Sequence, residues 1–264
     1  MPRGVRVDVA ERLSANSKSA SRAAHDHPLY DPSTDPERRE GIQGRKMLFC
    51  EYMSMTYSPE DLIQVCDNCL QYSARCCQHD HTGKACHHFR LIFTDGACAG
   101  NGKGGAAAGI GVVLGKIGRG IDSFAYAVTE KMDPGQRRTS QRAELVAALA
   151  GVRRSMHADV HDYDDYNDSV PKERIIATDS EYVVRGITEW LPQWKRNGWR
   201  TSLGATPANL DLFLQLEREM EDLEVENNVK FGFWHVPRHL NQEADKLAKI
   251  GAAAAQKKAS AAAN

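Results

Sequence analysis

From Arg90 onward the chain alternates short apolar runs of strand length with longer segments of helical period, an order that leaves only α/β architectures open. Leu91-Ile92-Phe93 is a continuous apolar run closed by Thr94-Asp95-Gly96, the pattern of a buried strand that ends in a turn. Residues 109–114 and 121–129 read as two more strands, joined as a hairpin by the glycine-bearing turn at 115–120. Leu145, Leu149 and Val152 then fall at helical spacing with Arg153 and Arg154 outside them, so an amphipathic helix starts near Gln141. A strand at 175–178, helices at 181–189 and 209–223, a strand at 229–236 and a helix at 241–254 complete the series.

The flanks have a different character. Residues 1–45 mix Arg, Ser, Asp and Pro without periodicity and read as a disordered arm. Residues 46–88 hold a Cys/His cluster, 89–252 form the folded domain, and 253–264 are an Ala-rich tail that continues the last helix or frays. Residues 157–172 read as an exposed acidic loop. In the 264 residues, 34 Lys and Arg face 35 Asp and Glu, so any nucleic-acid binding must come from a local basic patch. No apolar run approaches the ~20 residues of a membrane span, and the N-terminus lacks the apolar core of a secretory signal. We therefore expect an intracellular monomer, in the cytoplasm or nucleus. The Ser- and Ala-rich leader leaves a mitochondrial location open, although Asp8 and Glu11 oppose it.

Six of the seven cysteines precede residue 90, and inside the cell such crowding points to metal or to reduced thiols. Cys66-x-x-Cys69 is one proper knuckle, followed by Cys76, Cys77, His79, His81, Cys86, His87 and His88 as candidates for the second pair. One structural Zn²⁺ on Cys66, Cys69 and two of the later residues is expected, with the folded domain independent of it. The alternative is a set of reduced thiols and surface histidines. Cys50 is set aside, and Cys98 belongs to the first turn of the folded domain.

Asp95 and Asp179 each follow a buried strand, while Glu144 and Asp245 each lie near a helix start. Taken singly, each could be a capping or solvated acid. Ala148 and Gly151 share the helix face of Glu144, so that face can approach the sheet and bring the carboxylate to the strand ends.

The surroundings of the four acids carry more. Thr94-Asp95-Gly96-Ala97-Cys98-Ala99-Gly100-Asn101, Thr139-Ser140-Gln141-Arg142-Ala143-Glu144-Leu145, Thr178-Asp179-Ser180-Glu181-Tyr182-Val183 and Asn241-Gln242-Glu243-Ala244-Asp245-Lys246-Leu247-Ala248 occur in that order. They resemble the four signature segments of the type 1 ribonuclease H family. The stretch from Trp190 to Arg200 is similar to that family's basic protrusion. The resemblance covers roughly 160 residues in five ordered segments. It implies a ribonuclease H-like α/β fold, a mixed five-stranded sheet with helices on both faces, preceded here by the small Cys/His-rich segment. It also implies that Asp95, Glu144, Asp179 and Asp245 converge on two Mg²⁺ ions, Mn²⁺ being possible, about 4 Å apart. The activity implied is hydrolysis of the RNA strand of RNA–DNA hybrids to 5′-phosphate and 3′-hydroxyl ends. The competing reading is a catalytically silent domain of the same fold that binds nucleic acid or protein.

For the substrate, the resemblance implies contacts from Asn101 and Thr139 to the nucleic-acid backbone, with Ser140 and Gln141 where bacterial members carry two Asn. Trp194, Lys195, Arg196, Trp199 and Arg200 would form the hybrid-binding handle, and Trp190 would be a core residue. On periodicity alone the same stretch is a helix with an aromatic inner stripe and a basic edge. His239 matches the family's mobile histidine, but only five residues separate it from Asp245.

Overall fold

The computed structural model describes residues 40–116, 123–156 and 172–263. Residues 1–39 of the arm, the acidic loop at 157–171, and residues 117–122 of the expected hairpin lie outside the described residues.

The sheet is built around β5. Strands β1 (Gly41–Gln43), β2 (Lys46–Leu48), β3 (Ile63–Val65) and β4 (Tyr72–Ala74) precede it, with helix α1 (Glu51–Thr56) between β2 and β3. β5 (Phe89–Ala99) is followed by β6 (Ala107–Val113), β7 (Ser123–Ala127), α2 (Ser140–Ser155), β8 (Lys172–Thr178) and α3 (Glu181–Arg185). A π-turn (Gly186–Trp190) leads into α4 (Leu191–Arg196), and α5 (Leu210–Asn227), β9 (Val229–His235) and α6 (Gln242–Ala263) complete the chain. β5 pairs antiparallel with β6, from Phe93↔Val113 to Ala99↔Ala107, and parallel with β8, from Phe89↔Glu173 to Phe93↔Ala177. β7 flanks β6, and β9 runs parallel to β8. These five strands are the mixed sheet expected from the sequence.

Two expectations need correction. The arm was expected to reach residue 45, yet Gly41–Gln43 is a strand. Residues 46–88 were expected to stand apart, yet they extend the same sheet to nine strands. β2 joins the edge of β9 at Lys46↔Phe233, and β4 joins the start of β5 at Ser73↔Arg90 and Ala74↔Phe89. Strands of three residues are too short for a two-residue period to register, and the partner that ties β2 to the main sheet lies almost 190 residues along the chain, at Phe233.

β5 is buried on both faces, as a central strand between helical layers must be. Ile92 faces a cluster with Leu145, Leu149 and Val152 of α2 and Phe213, Leu216 and Met220 of α5. Leu91 and Phe93 face the opposite side, with Ala244 of α6. α5 runs one turn beyond the expected 209–223 and ends at Asn228, whose left-handed φ of 49° breaks the helix. The Ala-rich tail continues α6. Arg142 anchors the start of α2, with its Nε donating to Asp133 Oδ2 at 3.0 Å and its Nη2 to Asp211 Oδ2 at 2.7 Å. Among the described residues no helix is long and apolar enough to cross a membrane.

Both helical layers press on the sheet through glycine. A Cβ on Gly111 would lie 2.1 Å from the Ala244 carbonyl oxygen and 2.8 Å from the Ala248 nitrogen. Gly111→Ala should therefore destabilise the fold by roughly 1–3 kcal/mol, the usual cost of overpacking. Gly104→Ala, which meets nothing within 4 Å, should stay within about 0.5 kcal/mol. Urea unfolding midpoints of the two variants check this; equal midpoints would contradict it.

Candidate active site

Parallel pairing of β5 with β8 stops at Phe93↔Ala177, so the strands part just before Asp95 and Asp179. The crevice beyond the carboxyl ends of such strands, where β5 also has an antiparallel neighbour, is the usual site in open α/β sheets. Asp95 is opposite Gly111 in the β5–β6 ladder and is only 7% exposed. Asp179 follows the last residue of β8, and Ser180 caps α3 by accepting from Val183 N.

Glu144 arrives from α2. The Gly96 N–H donates to its Oε2 at 3.2 Å. That contact requires glycine, since a Cβ on residue 96 would lie 2.2 Å from the backbone of Ala143 and Glu144. The small-residue face seen in the sequence does bring α2 close: a Cβ on Gly151 would lie 2.6 Å from Thr94 Cγ2. Asp245 arrives from the first turn of α6, its N–H donating to the Asn241 carbonyl at 3.1 Å.

Asn241, which opens the fourth of the matched segments, does more than start α6. Its side chain is buried, and Nδ2 donates to Asp179 Oδ1 at 2.6 Å and to the Thr94 carbonyl at 3.0 Å. One amide thus ties the ends of β5 and β8 to the start of α6. The partners lie 147 and 62 residues away, so only the matched motif around Asn241 hinted at more than a cap.

Burial, with Asp179 and Asp245 adding repulsion, pushes Asp95 up to about 7. Burial, with Asp95 and Asp179 adding, pushes Glu144 up to about 9 against the lowering effect of the Gly96 N–H. Lys249 Nζ sits 2.6 Å from Asp245 Oδ2, and Arg238 approaches the other oxygen at 3.9 Å. Asp179 and Asp245 lie close enough to act on Asp95, and Asp95 and Asp179 on Glu144, a grouping of carboxylate oxygens of the kind that suits hard divalent cations.

Around this centre the expected contact residues divide. Asn101 Oδ1 accepts from Ser140 N at 2.9 Å, and Thr139 caps α2 through Arg142 N at 3.2 Å, so Asn101, Thr139, Ser140 and Gln141 gather at one helix start. Trp194 is not presented to solvent: it is buried against Phe213 with ring centroids 5.4 Å apart, and Trp190 is the less buried of the two. Lys195 is drawn to Glu217 at 2.7 Å. Arg196, Trp199 and Arg200 remain exposed, with Trp199 at a left-handed φ of 62°. His239 is exposed and hydrogen-bonded to Glu60, a residue no motif singled out. Arg238, His239, Gln242, Asp245 and Lys246 line a cleft of 580 Å³.

The Cys/His residues do not form the single site expected. Cys66 and Cys69 gather with His87, whereas Cys76 gathers with His79 and His88 and has Cys86 alongside. Cys77 lies with Cys50 and Glu40, and exposed His81 is in none of these groups.

The charge crowding has a thermodynamic consequence. Raised folded pKa values mean that Asp95 and Glu144 stay protonated in the folded chain after the unfolded chain has lost those protons. Their contribution to stability is full below about pH 4. It is lost as pH rises through about 7 for Asp95 and about 9 for Glu144. In chelator the melting temperature should fall between about pH 5 and about pH 9; Mg²⁺ should restore much of the loss, and Asp95→Asn should flatten the slope. Circular-dichroism melts across that range test this, and a flat wild-type profile in chelator would refute it.

The family model described as RNase H matches residues 88–253, the span from the start of β5 into α6. Ribonuclease H1 of Homo sapiens is 33% identical over 168 residues, covering 62% of this chain and 50% of that protein. Ribonuclease H of Tolumonas auensis is 34% identical over 167 residues, covering 62% and 89%. Ribonuclease H of Schizosaccharomyces pombe is 29% identical over 225 residues, covering 85% and 71%. The chain spans about half the length of the mammalian relatives it matches. The match runs through all four segments that carry Asp95, Glu144, Asp179 and Asp245, and the chain belongs to the RNase H family.

Proposed function

We propose that this chain hydrolyses the RNA strand of RNA–DNA hybrids, leaving 5′-phosphate and 3′-hydroxyl ends, with two divalent ions held by Asp95, Glu144, Asp179 and Asp245. The observation that carries the reading is a set of carboxylates crowded around Asp95, which lies within β5 just past its last pairing with β8 and not in the turn expected at 94–96. Two of them are pushed up to about 7 and about 9 by burial and by their acidic neighbours. Oxygen donors in that condition suit Mg²⁺ or Mn²⁺. Such ions supply activation of an attacking water and stabilisation of the leaving oxygen in an in-line displacement. Water oxygen bonds to phosphorus, the P–O3′ bond breaks, and the 3′-oxygen leaves with a proton.

The chain's own groups set the geometry. Gly96 N–H holds Glu144, and Asn241 holds Asp179. Asn101, Thr139, Ser140 and Gln141 form the surface beside the carboxylates for a nucleic-acid backbone. Exposed Arg196 and Arg200 flank Trp199 and suit phosphates and sugar faces, while Lys195, already paired, adds less. Strand choice rests on the 2′-hydroxyl, which only RNA presents.

Asp95→Asn and Asp179→Asn should each lower turnover of a labelled hybrid by more than about a hundredfold, since loss of a mere outer-shell partner already costs up to that much. Unchanged circular-dichroism spectra with near wild-type cleavage by either variant would end the proposal.

His239 is doubly restrained, by its short connection to α6 and by its hydrogen bond to Glu60. We expect His239→Ala to lose less than about tenfold in single-turnover rate, below the range of a full general acid or base. Asp245→Asn should lose more than about a hundredfold. Equal loss in the two variants would return His239 to the catalytic residues.

A further inference from the structure

Residues 40–88 lack the means to hold themselves by burial. Their strands are three residues long, and the one apolar cluster they mostly supply themselves has four buried members, Cys50, Met53, Leu62 and Cys77. Met47, Ala74 and Cys76 are buried instead in the core shared with β5, so the loops between the short strands depend on docking to the sheet and on whatever else ties them down.

Two separate groups of ligand atoms lie in this segment. Cys76, His79 and His88 present ligand atoms that all fall within 4.8 Å of one another. His79 Nδ1 is 3.1 Å from Cys76 Sγ, and Cys86 Sγ is 3.3 Å from the same sulfur. In the other group, Cys66, Cys69 and His87 also fall within 4.8 Å, with Cys69 Sγ 3.4 Å from His87 Nε2. With Zn–S of about 2.3 Å and Zn–N of about 2.0–2.1 Å, a tetrahedral site spaces its ligand atoms roughly 3.3–3.8 Å apart. The observed separations are close to that spacing. A disulfide would bring sulfurs to about 2.05 Å and has no use for imidazole, yet His87 gathers with Cys66 and Cys69, and His79 lies against Cys76, whose sulfur Cys86 adjoins.

The backbone supports the same division. Around Cys66-x-x-Cys69 the chain folds back on itself: Leu70 N donates to the Cys66 carbonyl at 2.8 Å, Cys66 N donates to the Gln71 carbonyl at 3.0 Å, and Leu70 takes a left-handed φ of 61°. Consecutive His87 and His88 serve different groups, and both immediately precede β5. A third group, Glu40, Cys50 and Cys77, differs in kind. Its carboxylate accepts from Cys77 N at 2.9 Å, and its sulfurs belong to the apolar cluster with Met53 and Leu62.

We propose that the segment binds two zinc ions, one in a closed site made by Cys76, His79, Cys86 and His88, the other on Cys66, Cys69 and His87. Each ligating thiol gives up its proton to solvent on binding. The first site has the full protein ligand count of a structural zinc; the second has the three-ligand count that leaves a position for water. Together they pin the β3–β4 hairpin to the entry of β5.

The full chain, purified without chelator, should carry two zinc equivalents by elemental analysis. Cys76→Ser with Cys86→Ser should lose one equivalent and keep the other, and Cys66→Ser with Cys69→Ser should lose the other one. Titrating Co²⁺ into metal-stripped wild type should raise the thiolate-to-cobalt absorption to saturation at two equivalents, which decides the matter even if the variants fail to fold. Saturation at one equivalent, or one zinc abolished by either pair, means a single shared site and overturns the proposal. So does a zinc-free protein whose seven thiols are all freely alkylated in the native state.

Discussion

Everything at the carboxylate centre depends on how closely two helices can approach the sheet. α2 and α6 reach it where side chains are missing: Gly96 lies under Ala143 and Glu144, Gly109 under Gly251 and Ala252, and Gly111 under Ala244. A methyl group at any of these points would overlap backbone, and the helices would have to stand further off. At that distance the Gly96 N–H could no longer reach Glu144, and the first turn of α6 would carry Asp245 away from β5. Glycine within a strand costs roughly 0.5–1 kcal/mol relative to alanine, so the sheet gives up intrinsic stability at these positions in exchange for placement.

The N-terminal segment is part of this architecture. Without β2, β9 would be an exposed edge, and without β4 the first residues of β5 would lack a partner on one side. The joints are specific: Phe233 N donates to the Arg45 carbonyl at 2.7 Å, Arg45 pairs with Glu224, and Phe231 N donates to the same carboxylate at 2.8 Å. On the other side Tyr72 donates to Glu243 at 3.2 Å and stacks edge-on against Phe93 at 5.3 Å. Tyr72 therefore contacts the first turn of α6, two residues from Asp245, and Glu60 contacts His239 in the turn just before that helix. A segment with little core of its own is fastened at both ends of the sheet, and one of those fastenings adjoins the active centre.

How much of this could be read from the sequence follows from the range of each interaction. β5, β8 and β9 carry enough consecutive apolar residues to show their period, and α2 and α6 show theirs. The four carboxylates stood out through the ordered motifs around them, since each alone reads as a cap. What failed was set by distant partners. Trp190 and Trp194 share a helical stripe, and only Phe213, brought in by α5, decides that Trp194 is the buried one. The π-turn at Gly186–Trp190 sits where a Cβ on Gly186 would lie 2.3 Å from the Phe213 ring, again a non-local cause. Spacing offered nine Cys and His candidates for zinc but could not sort them, because His87 and His88 are adjacent in sequence and separate in space.

The electrostatics of the centre are uneven, and the unevenness decides what a cation must displace. Lys249 and Arg238 both sit at Asp245, and both are largely in water, with side chains 63% and 81% exposed. Exposed pairs of this kind contribute about 0–1 kcal/mol and weaken with salt. Among the described residues no cationic side chain is hydrogen-bonded to Asp95 or Glu144, where burial and mutual repulsion push both groups up. The outer carboxylate thus has cations beside it, while burial and mutual repulsion disfavour charge on the inner pair. A divalent ion held at Asp245 would compete with Lys249 and Arg238, both largely in water. At Asp95 and Glu144 it would offset the burial and mutual repulsion that push both groups up, at the point where Gly96 lets α2 bring Glu144 against β5.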